Sequence, residues 1–126
     1  MKTWIMAGAV LAGLAVVFGA FGAHGLKSRV SPEDIIIFDT GVKYHMYHAL
    51  GLILIGILGF HFPEKSMSAP ATLMSVGILI FSGSLYILVL TGFRWLGAIT
   101  PVGGLALISS WLLLRSEERR VGKECR

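Results

Sequence analysis

"ATLMSVGILIFSGSLYILVLTG", residues 71–92, decides how the rest of the chain is read. It contains no Asp, Glu, Lys or Arg and is long enough for a hydrocarbon core of about 30 Å. Amides in lipid have no water to bond, so an apolar run of this length satisfies its own backbone as a helix. "TGFRW" (Thr91–Trp95) follows, a link so short that the helices it joins are antiparallel neighbours. Beyond it lies a second apolar run, "LGAITPVGGLALISSWLLL" (Leu96–Leu114).

On the N-terminal side, the short proline-bracketed "PEKSMSAP" (Pro63–Pro70) precedes residues 71–92. Before it, "YHALGLILIGILGFHF" (Tyr47–Phe62) needs its polar start at Tyr44–His48 to reach spanning length. "TWIMAGAVLAGLAVVFGAFGA" (Thr3–Ala23) reaches roughly 31 Å as a helix. Lys2 and Ala20–Gly22 imitate a signal peptide, but the apolar part exceeds the usual length of about 7–15 residues and further spans follow. The predicted fold is an all-α membrane protein, a bundle of four transmembrane helices over about 3–23, 44–62, 71–92 and 96–114. Residues 1–115 then make a single membrane domain.

Composition agrees. The chain is 55% hydrophobic and 14% charged, against about 25% charged in soluble domains. The net charge of +4 is spread over loops and tail, which is loop charge and not a nucleic-acid footprint. The expected partners are therefore the lipid bilayer, a second membrane protein or further copies of the chain, and no nucleic acid. Cys125 is the only cysteine, so neither an intramolecular disulfide nor a cysteine metal site can form. With the tail counted, Lys and Arg favour the side of the termini, and the positive-inside rule places both termini in the cytoplasm. Residues Ser116–Arg126 change composition abruptly and resemble translated adaptor-like sequence. They are read as a disordered tail, with a native solvated basic tail as the alternative.

Between the first two spans, Ser31 is a good N-cap, Pro32 suits a first helical turn, and Glu33 and Asp34 suit the positive end of a helix dipole. A short interfacial helix is expected there, with Ile35, Ile36, Phe38 and Val42 on one side and Gly41 marking its end. Small residues recur in the first span (Gly8, Ala12, Ala15, Gly19, Ala23) and the fourth (Gly103, Gly104, Ala106, Ser110). They indicate close helix approach, within the bundle or between copies. Pro101, inside the expected fourth span, predicts a kink that frees the Gly97 carbonyl, with Thr100 bonding back.

"KYHMYHALG" (Lys43–Gly51) carries most of the functional ambiguity. On a helix His45 and His48 share a face and can chelate a metal, but zinc needs at least three protein ligands. His24 is the third candidate, so His24, His45 and His48 stand as the metal or haem alternative, with no cofactor expected. Ionisable residues in a span are functional hypotheses by default. Here they fall near expected span ends, where His and Tyr are ordinary, and mid-span acids and bases are absent. "FSGSLY" (Phe81–Tyr86) lacks the context of a nucleophile elbow, and no carboxylate pair or phosphate loop appears, so no catalytic residue is assigned. Ser82 and Ser84 suit bonds across helices.

The blocks "GAFGAHGLK" (Gly19–Lys27), "TGVKYHMYHALGL" (Thr40–Leu52), "IFSGSLY" (Ile80–Tyr86) and "RWLGAITPVGGLALISSWLLL" (Arg94–Leu114) resemble the DUF 423 (YgdD-like) family of small bacterial inner-membrane proteins. The resemblance covers Met1–Leu114 and implies a multi-pass protein of the bacterial plasma membrane, without an activity. It marks His24, Tyr44, Tyr47, His48, Ser82, Ser84, Arg94, Thr100 and Pro101 as motif residues of unassigned role. The expected function is that of a non-enzymatic membrane protein packing against lipid or a partner. A metal or haem protein and a small oligomeric pore are the alternatives.

Overall fold

A computed structural model of the chain describes residues 2–26, 28–62 and 64–124, the side chains at 64–66 and 118–124 excepted. Met1, Lys27, Pro63, Cys125 and Arg126 therefore lie outside it, as do the side chains of most of the expected tail. Four helices form: α1 (Lys2–His24), α2 (Pro32–Leu58), α3 (Glu64–Thr91) and α4 (Thr100–Glu124). Each contains a stretch long and apolar enough to cross a membrane. Among the described residues there is no strand.

The expected interfacial helix is not a separate element. Ser31 caps as its sequence suggests, its side chain accepting from the Asp34 amide at 3.2 Å, but the helix it starts runs unbroken to Leu58. Gly41 does not interrupt it. A Cβ built there would stand 3.0 Å from the Tyr86 ring and 3.4 Å from Leu85, so this glycine lets α3 approach. Tertiary contact outweighs a helix-interior glycine cost of about 1 kcal/mol.

Two further boundaries differ from expectation. Pro70, expected in the link, stands inside α3, which begins at Glu64 and runs through it. Pro101 does lie within a candidate span, Arg94–Glu117, but the link forms a 3-10 turn, Arg94–Ala98, and α4 starts at Thr100. Pro101 thus stands in the first turn, where a missing N–H breaks no helical bond and no kink is needed. Gly92, at φ 78°, supplies the left-handed residue that turns the chain out of α3. The backbone of α4 continues to Glu124 where a disordered tail was expected from Ser116. Glu and Arg in "SEERR" are good helix formers, and extending a formed helix costs little.

Close approach at glycines sets the antiparallel packing. Gly8 of α1 faces Ala49 and Ile53 of α2, Gly19 faces Val42, and Gly22 lies under the Phe38 ring. Gly77 of α3 faces Leu107 of α4, and Gly103 lies directly against the Phe81 backbone. These small residues are spent within the bundle.

Two apolar clusters fill the interior. One, with Leu52, Ile55, Met67, Met74, Ile78 and Leu107, lies toward the termini. The other, with Leu26, Phe38, Tyr86, Leu88 and Leu96, lies toward the α1–α2 and α3–α4 links. The exterior is apolar too: Val10, Val17, Leu54, Leu79, Leu105 and Leu112 are exposed. An exposed apolar mantle around buried polar groups is the pattern that lipid, not water, selects.

Candidate functional site: a polar belt between two apolar clusters

Along α2, His45 and His48 fall between Phe38 of one cluster and Leu52 of the other; along α3, Ser82 and Ser84 fall between Ile78 and Tyr86. All four side chains are buried. This corrects the reading of "HMYH" as a collar at the entrance of a span. Because α2 begins at Pro32, His45 lies half-way along its 27 residues, about 20 Å of helix rise from its start.

The belt is built by bonds between helices. His45 Nδ1 and the Tyr86 hydroxyl are hydrogen-bonded at 2.8 Å, joining α2 to α3. Phe18 of α1 packs on the Tyr86 ring with centroids 4.9 Å apart, and Phe38 packs on it at 5.0 Å. Ser82 Oγ donates to the Gly41 carbonyl at 2.7 Å, made reachable by the missing glycine side chain. His45 Nε2 is buried and has no hydrogen-bond partner among the described residues.

His48 Nδ1 donates to the Tyr44 carbonyl one turn earlier at 2.7 Å. A carbonyl only accepts, so Nδ1 carries the proton in the neutral ring. The His48 ring packs against Trp111 of α4 at 5.8 Å. Tyr44 and Tyr47 sit at the surface of α2, their rings edge-on at 5.9 Å, and Tyr44 also meets Phe81 edge-on at 5.1 Å.

Toward α4, the Ser84 and Thr100 hydroxyl oxygens lie 2.6 Å apart, with Ser84 also reaching the Phe81 carbonyl and Thr100 the Leu96 carbonyl. Pro101 is exposed beside them. At the outer end Arg94 donates two bonds to the Asp34 carboxylate, 2.8 and 3.0 Å long. At the other end Ser110 donates to the Pro70 carbonyl at 2.7 Å.

The three candidate metal ligands do not converge. His24 is exposed at the end of α1, while His45 and His48 turn to different partners on α2 and α3. Among the described residues no three His, Cys, Asp or Glu side chains are grouped to hold a metal ion. His61 is exposed in the turn after α2.

Sequence reasoning missed Asp34, read only as a dipole complement, and Ser110, read only as a small residue. Asp34 lies one turn before the buried Phe38, and that i,i+4 spacing places it on the inner face. Ser110 follows Gly103 and Ala106 on the small-residue face, where a hydroxyl finds a neighbouring backbone.

Comparison with known proteins agrees with this architecture. A family described as a protein of unknown function, DUF423, matches residues 18–104. The UPF0382 membrane protein YwdK of Bacillus subtilis is 49% identical over 115 residues, covering 90% of this chain and 94% of the relative. The UPF0382 membrane proteins SH2409 of Staphylococcus haemolyticus and SSP2132 of Staphylococcus saprophyticus are each 46% identical over 114 residues, covering 90% of this chain and 93% and 94% of theirs. No solved structure matches. With its four apolar helices and this match, the chain belongs to the DUF423 family of membrane proteins of unknown function.

Proposed function

We propose that this chain is a non-enzymatic, multi-pass protein of the bacterial plasma membrane that works through packing against lipid or a partner membrane protein, including copies of itself. The observation that carries the reading is where the polar side chains are used. Ser82, His45, Ser110 and Arg94 each bond a group on another helix or link, leaving the apolar mantle as the extensive outer surface. Such bonds hold a bundle together and leave lipid-facing surfaces to do the contacting. Both termini lie in the cytoplasm in this reading, with Ser31 and the Asp34–Arg94 bonds on the opposite side.

The test is a purified, full-length protein in nanodiscs. Self-association by cross-linking, or a co-purifying membrane protein, is the supporting result. Stoichiometric metal, a Soret absorption band, or single-channel conductance in liposomes overturns it in favour of a metal, haem or pore protein. Orientation is checked separately, by an impermeant maleimide on intact spheroplasts in a Cys125→Ser background. Ser31→Cys should label and Thr3→Cys should not.

A further inference from the structure

Between the last turns of α1 and the first half of α2 runs an open groove of about 360 Å³. Gly19, Gly22 and Ala23 of α1 and Ile36 of α2 line it, with the Phe38 ring lying over Gly22. Asp39 and Lys43 line the same groove, with Lys43 Nζ 3.1 Å from Asp39 Oδ2 and both side chains more than half exposed. We propose that this groove binds one aminophospholipid of the phosphatidylethanolamine type, an acyl chain lying in the groove beside Ala23 and Ile36 and the headgroup across the Asp39–Lys43 pair.

Shape and charge both lead to that occupant. Gly19 stands opposite Val42, and Lys43 follows Val42 along the groove with its side chain more than half exposed. A lysine stem there lies along apolar surface and carries its ammonium out to where a headgroup's phosphate can meet it. The volume is within the range of about 300–1,000 Å³ typical of small-molecule sites. Phe21 of α1, partly exposed, packs against the Phe38 ring that also lines the groove.

A neutral pair of adjacent opposite charges complements a headgroup that is itself a neutral pair of adjacent opposite charges. Lys43 keeps N–H donors for a phosphate after meeting Asp39, and the Asp39 carboxylate keeps lone pairs for an ammonium. A choline headgroup has no N–H to give Asp39, and a glycerol headgroup has no cation.

The inference rests on the lipid-or-partner reading above, and one experiment separates the two. Native mass spectrometry of the full chain is run with phosphatidylethanolamine, phosphatidylcholine and phosphatidylglycerol of identical acyl chains. The expected result is about a fivefold preference for phosphatidylethanolamine, roughly 1 kcal/mol, the scale of partly hydrated charge contacts. The preference should vanish in Asp39→Asn/Lys43→Gln, which leaves net charge unchanged. Gly19→Val, which narrows the groove, should weaken all three lipids. Equal binding of the three, or a preference that survives the double substitution, overturns the proposal. Dimers seen in the same spectra without lipid preference would sink it while leaving the partner reading in place.

Discussion

Asp34 and Arg94, 60 residues apart in the chain, are joined by two parallel hydrogen bonds of 2.8 and 3.0 Å. The bonds tie the first turn of α2 to the 3-10 turn between α3 and α4. They therefore fix both links on one side of the bundle at once. Asp34 is almost fully covered while Arg94 remains largely exposed, so the guanidinium shields the carboxylate from above. The planar fork of Arg matches a carboxylate in a way that a single ammonium does not.

Arg94→Lys should accordingly lower the melting temperature of the detergent-purified protein, and Arg94→Ala should lower it further. The larger loss follows because Ala leaves a covered carboxylate without its partner. Asp34→Asn in the Arg94→Ala background should recover part of the loss, because the stranded charge is then gone. A thermal-shift series over the four proteins checks the order. Equal melting temperatures throughout would show the fork to be incidental.

How much of this was legible in the sequence depends on which force sets each feature. The four helices were legible because lipid forbids unsatisfied backbone over runs such as residues 71–92. Helix boundaries were not. Gly41 and Pro70 read locally as breakers, yet in the bundle Gly41 admits the Tyr86 ring and Pro70 is fully buried within α3. The depth of the belt was hidden for the same reason. With Gly41 taken as a helix end, His45 falls at a membrane surface; with α2 continuous, it falls among buried rings. His48, Ser82, Ser84, Arg94 and Thr100 could be picked out as polar residues, but their partners were invisible. A carbonyl freed for Ser82 by a glycine side chain that is absent leaves no mark in composition.

The His45–Tyr86 bond gives the second prediction. Tyr86→Phe keeps the ring that Phe18 and Phe38 pack against and removes only the hydroxyl that meets Nδ1. The expected cost is about 1 kcal/mol, since bonds between membrane helices average roughly 0.6 and reach about 1.7 kcal/mol. His45→Leu should cost a similar amount, and adding Tyr86→Phe to it should cost almost nothing more. Replacing both partners by apolar groups leaves neither polar atom stranded. Denaturation in mixed micelles, arranged as a double-mutant cycle, measures the coupling. A coupling of zero would mean the pair is held by its neighbours and not by its bond.

The third prediction separates glycines that are needed from glycines that are not. A Cβ at Gly103 would fall on the Phe81 backbone, and one at Gly8 would stand 2.5 Å from Ile53 Cγ1 and 2.8 Å from the Ala49 carbonyl oxygen. Backbone cannot swing aside as a side-chain tip can, so Gly103→Ala has to push α3 and α4 apart. Overpacking of that kind costs about 1–3 kcal/mol. Gly8→Ala should cost less, because part of its clash is with a flexible isoleucine. At Gly13 and Gly83 a Cβ meets nothing within 4 Å, so alanine there should be neutral or slightly stabilising through its higher helix propensity. Melting temperatures of the four alanine variants, compared in one detergent, give the ranking. If Gly103→Ala melts with Gly13→Ala, α3 and α4 are not in backbone contact there. If Gly13→Ala leaves stability unchanged yet abolishes cross-linked dimers, this exposed face of α1 meets another copy, which the packing of Gly8 and Gly19 against α2 does not require.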